Sequence, residues 1–304
     1  MLQQASRTIV YDLAQGHQEP AALTNSLGLI SFINCLPVVL PLQEQKVQID
    51  CPLVFGSPAQ LNNAYARNEL NVGAMSSFYF LQNGDFELIP NLSISAQGPV
   101  ASVLFFSRRH PRDLHQAKIA VPACSATSVN LLRIYLNEEW NVNANFETVD
   151  DKHFKAQVET SYLNEFDGFL VIGDKAIEID AQSEILTVDE TAVSSWKYWR
   201  QDLAQWWHGR YRVPMVFGVW AAKRNWIIAN EDLFQTMCTS LQKALSLGLG
   251  EMFEQVLQEA AQRTGFSREL LETYYKKNLN FELSERHLQG LELYRQLCVR
   301  HGLL

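Results

Sequence analysis

The polar side chains that could do chemistry stand where apolar segments of this chain end. Asn34 closes the run Leu29-Ile30-Ser31-Phe32-Ile33, and Pro37 follows shortly afterwards. We predict a buried strand that ends at Asn34, because a proline prevents a strand from simply continuing. Ligands in α/β folds bind outside the carboxyl ends of strands, which would place the Asn34 amide at a binding site. Chemistry alone favours a simpler role, since asparagine readily caps turns by bonding to its own backbone.

Further polar residues follow two other apolar strands. Ser76 and Ser77 stand between the strand Val72–Met75 and a predicted helix, and N-capping of that helix alone would account for them. Asp174 comes after the strand Phe166–Ile172, where it either faces a cleft or caps the next helix. Both places are therefore candidate binding positions with a structural alternative.

A denser group of hydroxyls precedes the predicted helix Val129–Leu136. Ser125, Thr127 and Ser128 place three hydroxyls within four residues, which is more than one N-cap needs. The start of a helix exposes backbone N–H groups and the positive end of the helix dipole. Such a start can bind a carboxylate or phosphate without lysine or arginine, so the sequence indicates an anion site or a plain cap.

The elements that must position these residues follow an α/β pattern. Short strands and helices alternate over residues 29–109 and again over 117–214, and helical patterns fill the chain from about 231. Two long apolar strands, Val100–Ser107 and Val213–Ala222, bracket the second part and suggest crossovers between lobes. We expect an N-terminal extension at 1–27, a first lobe at 28–109 plus 218–304, and a second lobe at 110–217.

Composition excludes several classes of function. The chain has 304 residues and a formal net charge of −8, which argues against nucleic-acid partners and anionic membrane surfaces. Its 5 cysteines form no CxxC pair, and no His, Asp and Glu cluster has metal-ligand spacing, so we expect reduced thiols and no metal. A GxGxxG or Walker motif is missing, and no cofactor is expected. Without a signal-peptide core or an apolar run of about 18 residues, the sequence predicts a cytoplasmic protein.

Several motifs in order resemble the menaquinone-biosynthesis family that includes chorismate dehydratase of the futalosine route. The matching segments are Phe32-Ile33-Asn34-Cys35-Leu36-Pro37, Val72-Gly73-Ala74-Met75-Ser76-Ser77, Gln97-Gly98-Pro99-Val100-Ala101-Ser102-Val103, Ser125-Ala126-Thr127-Ser128-Val129, Ile172-Gly173-Asp174 and Pro214-Met215-Val216-Phe217-Gly218-Val219-Trp220. Each segment alone is a weak signal, whereas their joint order and spacing are fairly specific. The resemblance implies a two-lobed α/β fold of the type II periplasmic-binding-protein kind, with a ligand cleft between the lobes.

The resemblance also implies an activity, the dehydration of chorismate to 3-[(1-carboxyvinyl)oxy]benzoate. It gives Asn34 a site role, because Asn34 matches the polar residue of the family's first strand motif. An amide is a poor general base, so its expected task is to orient the substrate while a substrate carboxylate takes the proton. The implied donors for the two carboxylates of this small-molecule substrate are the hydroxyls of Ser76, Ser77, Ser102, Ser125, Thr127 and Ser128.

The sequence departs from the family pattern in three places and leaves other functions open. The N-terminal extension is long, the expected glycine is missing after Pro37, and Gly209–Val213 replaces the usual lead-in to Pro214. A diverged binding protein that captures a small carboxylate without turnover is the main alternative. The sister naphthoate-forming enzyme is disfavoured, because it needs a histidine base and no histidine lies in the motifs; His110 and His115 are the nearest.

Overall fold

The structure is a computed structural model that describes residues 10–13, 23, 25–149, 165–182 and 199–304. The strands are β1 Val10–Asp12, β2 Leu27–Ile30, β3 Leu53–Gly56, β4 Val72–Ser76, β5 Phe86–Ala96, β6 Val103–Ser107, β7 Lys118–Pro122, β8 Asn145–Val149, β9 Gly168–Ile172, β10 Trp199–Asp202 and β11 Met215–Lys223. Most residues of the interior strands are buried, as expected for strands that are covered on both faces.

Helices follow most of these strands. They are α1 Leu36–Gln43, α2 Pro58–Ala66, α3 Ser77–Gln82, α4 Ala126–Trp140, α5 Gly173–Gln182, α6 Leu203–Tyr211, α7 Arg224–Ala229, α8 Glu231–Leu249, α9 Phe253–Thr264, α10 Arg268–Thr273 and α11 Glu285–Arg300. A π-helical turn, Tyr274–Asn278, continues α10. Within the described part of the chain, no helix combines the length and apolarity needed to cross a bilayer.

The first sheet brings the ends of three parallel strands to one edge. Its strand order is β1-β3-β2-β4-β11-β5, and β2 pairs in parallel with both β3 and β4. Glycines allow β2 and β4 to approach closely near their amino ends, because a Cβ on Gly73 would lie 2.3 Å from the carbonyl oxygen of Gly28. The segments after β2, β3 and β4 therefore emerge together, and they carry Asn34, the start of α2, and Ser77.

The second sheet gathers a different set of residues at one of its edges. Its order is β10-β6-β9-β7-β8, with β7 parallel to β9 and β6 antiparallel to β9. The carboxyl ends of β7 and β9 therefore lie beside the amino end of β6, where Val103 pairs with Ile172. The segments at this edge carry Ser102, the Ser125 group and Asp174.

The chain divides into two compact units. Met1–Leu92 with Gly218–Arg268 forms unit 1, and Ser93–Phe217 with Glu269–Leu304 forms unit 2. These units are not the lobes predicted from the sequence, because the last helix lies in unit 2 rather than with residues 28–109. The lobe boundaries themselves stay a prediction. In unit 2 the Tyr294 hydroxyl of α11 donates to the Thr127 carbonyl of α4 at 2.9 Å. The sequence shows the apolar stripe of α11 but not the element that it covers.

The prediction of one strand through Asn34 is wrong. β2 ends at Ile30, Ile33–Cys35 forms a short 3₁₀ turn, and Pro37 lies in the first turn of α1. The apolar run continues because α1 is buried on all sides, and such a run cannot by itself distinguish a strand from a buried helix. Most of the predicted extension at 1–27 lies outside the described residues, although Val10–Asp12 pairs with β3.

Candidate functional site

Asn34 lies directly after the central strand of unit 1. The 3₁₀ turn Ile33–Cys35 holds it, closed by the Cys35 N–H, which donates to the Phe32 carbonyl at 3.1 Å. Its Oδ1 atom is buried and has no hydrogen-bond partner within the described residues. Burying an amide oxygen without a partner costs about 1–3 kcal/mol. The turn-capping alternative does not explain this atom, because no cap bond satisfies it.

The two serines after β4 have different roles. Ser76 caps α3, since its Oγ accepts a hydrogen bond from the Tyr79 N–H at 3.3 Å. Ser77 is fully buried, and its Oγ finds no partner among the residues that the structure describes. The structural alternative therefore accounts for Ser76 and leaves Ser77 unexplained.

In unit 2 the Ser125 group starts a helix of 15 residues, α4. Ser125 is the N-cap, because its Oγ accepts a hydrogen bond from the Ser128 N–H at 3.3 Å. Ser125, Thr127 and Ser128 are all buried, at 8%, 1% and 3% exposure. One cap needs only the first of these hydroxyls, so the structure retains the combination of hydroxyls and helix dipole that favours an anion.

Ser102 lies in a loop whose shape depends on a buried carboxylate that the sequence alone did not single out. Ala101 has a φ of 60°, and its N–H donates to Oδ2 of Asp202 at 2.8 Å. The other oxygen of Asp202 caps α6 by accepting the N–H groups of Ala204 and Gln205, both at 3.0 Å. Asp202 therefore ties the loop to the start of α6.

The environment of Asp202 changes its acid–base behaviour. The residue is 1% exposed, and burial raises the pKa of its carboxyl group, although hydrogen bonds from backbone N–H groups oppose the shift. The sequence signal for its structural role is an acidic residue directly before the first residue of α6. Its second bond, to residue 101, joins positions that are far apart in sequence.

A tyrosine that the sequence did not single out contacts Ser102. The Tyr274 hydroxyl, in the π-helical turn after α10, donates to the Ser102 Oγ at 3.0 Å, and both side chains are buried. The Ser102 carbonyl accepts a hydrogen bond from Gly173 N–H at 2.8 Å, so Ser102 and Asp174 lie beside each other. Helix α5 already begins at Gly173, which places Asp174 in its first turn and corrects the alternative of a cap before Lys175.

The structure therefore groups the predicted site residues into two sets. In unit 1, Asn34 lies at the same sheet edge as Ser76 and Ser77. In unit 2, Ser102, Ser125, Thr127, Ser128 and Asp174 share the edge where β6, β7 and β9 meet. Both sets offer amide and hydroxyl groups, whose chemistry is hydrogen bonding to a polar or anionic ligand. Over the described ranges, no three His, Cys, Asp or Glu side chains are placed to hold a metal ion.

Comparison with known proteins assigns the chain to a family. A family model described as menaquinone biosynthesis matches residues 25–300. The chain belongs to this menaquinone biosynthesis family. Over 276 residues it is 29% identical to a chorismate dehydratase of Thermus thermophilus, a match that covers 89% of this chain and 93% of that protein. The family resemblance inferred from the motifs is confirmed.

Solved structures of distant proteins share the fold. A protein of Archaeoglobus fulgidus superposes with a TM-score of 0.68 at 16% identity, and the match covers 92% of this chain and 98% of that one. The alkanesulfonate-binding protein SsuA of Xanthomonas axonopodis pv. citri, bound to MOPS, gives a TM-score of 0.61 at 16% identity and covers 93% of this chain and 96% of its own. The predicted α/β fold of the periplasmic-binding-protein kind is confirmed for this member of the family.

Proposed function

We propose that this protein is a chorismate dehydratase of menaquinone biosynthesis. It would convert chorismate to 3-[(1-carboxyvinyl)oxy]benzoate and water, as expected for the futalosine route. The observation that carries the proposal is the similarity to a chorismate dehydratase along 89% of the chain. The segment that includes Asn34 and both groups of hydroxyls lies inside the family match.

The reaction places a modest chemical demand on the protein. One C–H bond and one C–O bond of the ring break, the hydroxyl leaves with the proton as water, and the ring becomes aromatic. Because aromatisation drives the reaction, the protein mainly has to hold the substrate in a reactive geometry and assist the movement of the proton. An asparagine amide cannot serve as the base, so we assign the proton to a carboxylate of the substrate.

Asn34 is proposed to orient the substrate by hydrogen bonds. Its buried Oδ1 has no partner within the described residues, so an interaction with the substrate would not compete with an internal bond. Preorganised hydrogen-bonding groups of this kind contribute strongly to catalysis, because they need no rearrangement during the reaction. This supports a role for Asn34 in positioning rather than in proton transfer.

The Ser125 group is proposed to bind a carboxylate of chorismate. α4 is long enough to have a substantial dipole, and its first turn carries three buried hydroxyls. The net charge of −8 would oppose a dianionic substrate at long range, so local N–H and O–H donors have to supply the attraction. Ser77 and Ser102 are proposed as further donors.

The test is to incubate purified protein with chorismate, follow the loss of its diene absorbance and identify the product by its mass. Loss of one water with formation of the enolpyruvyl benzoate would support the proposal. Thermal stabilisation by chorismate without turnover would favour the alternative, a binding protein for a small carboxylate. If chorismate neither reacts nor stabilises the protein, the proposed substrate is wrong.

A further inference from the structure

Asn62 belongs to α2, the helix that follows the strand next to β2. Ser57 starts this helix with a capping box, in which the Ser57 Oγ accepts from the Gln60 N–H at 3.3 Å and the Gln60 side chain accepts from the Ser57 N–H at 2.8 Å. The register of α2 is therefore set at its first turn. The position of Asn62 in space follows from that register.

A tyrosine fixes α2 on the sheet. The Tyr65 hydroxyl donates to the Ala74 carbonyl of β4 at 3.0 Å, and it lies so close to Gly28 that a Cβ there would come within 2.4 Å. Asn62 is three residues before Tyr65 and thus on the same side of the helix. It consequently lies near the carboxyl end of β4, where its Nδ2 is 3.4 Å from the Ser76 Oγ.

Within the described residues, only one end of the Asn62 amide makes a hydrogen bond. The other end, Oδ1, is buried and has no hydrogen-bond partner in the described part of the chain. Asparagine is also a poorer residue than alanine for the middle of a helix. The fold alone does not account for an amide at this position, because the 3.4 Å contact with Ser76 is a weak one.

Among the residues that the structure describes, three buried polar atoms at this edge of unit 1 have no hydrogen-bond partner: Asn34 Oδ1, Ser77 Oγ and Asn62 Oδ1. Buried polar atoms without partners are uncommon in folded proteins, and each needs an explanation. Asn34 follows β2, Ser77 follows β4, and the Asn62 amide contacts the residue before Ser77. Two of the three atoms are amide oxygens, which accept hydrogen bonds, so this edge of the sheet suits a ligand that offers hydroxyl groups as donors.

We propose that Asn62 is a further substrate-binding residue, which hydrogen-bonds the ligand through the end of its amide that does not contact Ser76. The inference rests on the proposed function, and the ligand is chorismate, whose ring hydroxyl would donate a hydrogen bond to Asn62 Oδ1. No sequence pattern singles out Asn62, since it lies inside a helix and in none of the motifs.

Asn63 provides a matched control. It is the next residue in the same helix, has the same side chain and is exposed. Asn62→Ala and Asn63→Ala therefore gain the same intrinsic helix propensity. We expect Asn62→Ala to raise the KM for chorismate about 5- to 10-fold, the loss of one hydrogen bond, while Asn63→Ala stays within twofold of wild type. Equal kinetic constants in the two variants would overturn the inference.

A second variant gives a readout that needs no ligand. Asn62→Leu replaces the buried amide with an apolar side chain of the same branched arrangement of heavy atoms, so its thermal midpoint should equal or exceed that of wild type if the amide serves a ligand. A clearly lower midpoint would show that the amide supports the fold and would overturn the inference. Failure of the proposed function gives a different result, because the wild-type protein itself would then not turn over chorismate. In that case the thermal midpoint of Asn62→Leu would still show whether the Asn62 amide supports the fold.

Discussion

At the residue scale, buried polar atoms without partners mark the positions that the fold does not explain. Ser76 and Ser125 are satisfied as helix caps, whereas Asn34 and Ser77 each bury an oxygen that has no partner in the described residues. The first pair contributes to stability whether or not a ligand binds. We propose that a substrate supplies the hydrogen bonds that the second pair lacks, and we therefore place the proposed chemistry there.

Asn34→Ala should abolish most turnover of chorismate and leave the fold intact. No internal hydrogen bond of Oδ1 is lost, and removal of one preorganised hydrogen-bonding group typically costs about 10²-fold to 10³-fold in kcat. Asn34→Asp should be impaired as well, because it places a charge beside an anionic substrate. The measurement is kcat from product formation, with circular dichroism to check folding and Asn63→Ala as control. A folded Asn34→Ala protein with the kcat of wild type would remove Asn34 from the site.

At the element scale, helix starts position the proposed donors of unit 2. α4 begins at the carboxyl end of β7, and α5 begins at the carboxyl end of its neighbour β9. The hydroxyl-rich first turn of α4 and the Ser102 loop therefore meet at one edge of the sheet. The loop keeps its shape because Asp202 accepts the N–H of Ala101, a residue with positive φ.

A double change of Ser125 and Thr127 to alanine should weaken chorismate binding about tenfold. It also removes the cap of α4, which costs about 1 kcal/mol of stability. Ser284→Ala is the control, because it changes the N-cap residue of α11 in the same unit, where the Ser284 Oγ lies 2.8 Å from His287 Nδ1, and it leaves the first turn of α4 unchanged. Affinity and thermal midpoint should be measured for both proteins. If the double variant only loses stability, as the control does, the two hydroxyls serve α4 alone.

At the scale of the whole molecule, charged side chains join the C-terminal segment to helix α4 within unit 2. Glu138, near the end of α4, accepts a hydrogen bond from His301 at 2.9 Å and pairs with Arg210 of α6 at 3.5 Å. Burial pushes the pKa of Glu138 up, but His301, Arg300 and Arg210 outweigh it, so the pKa lies below its usual value. A lowered pKa in the folded state stabilises the fold above the unfolded pKa, and this contribution is lost as the pH falls through the folded pKa.

Glu138→Gln should therefore lower the thermal midpoint at pH 7 and have less effect in acid. We expect a loss of about 1–2 kcal/mol at pH 7, or roughly 2–3 °C for a chain of this size, and a difference from wild type that shrinks as the pH falls below the usual glutamate pKa of 4.5. Midpoints from pH 3 to pH 7 test this. Glu259→Gln, which breaks an exposed pair with Arg263 in α9, should change the midpoint little at any pH. A pH-independent loss in Glu138→Gln would contradict the electrostatic explanation.

The sequence by itself determined the α/β class, the family and several local signals. The residue types at Ser57 and Pro58 specify the start of α2, because caps depend on residues within one turn of each other. The motif order predicted the family, and the match over residues 25–300 confirms it. These features depend on residues that are close together along the chain or on the order of motifs, and both are visible in the linear sequence.

Only the tertiary structure decided where the apolar run after Leu29 turns, which unit the last helix joins, and which polar atoms lack partners. The run ends as a strand at Ile30, because its partner β3 ends at Gly56 and cannot extend the pairing. Asp202, Tyr274 and Asn62 acquire their roles through contacts with residues 101, 102 and 76. Such contacts join positions far apart in the chain, and no local pattern of residue types specifies them.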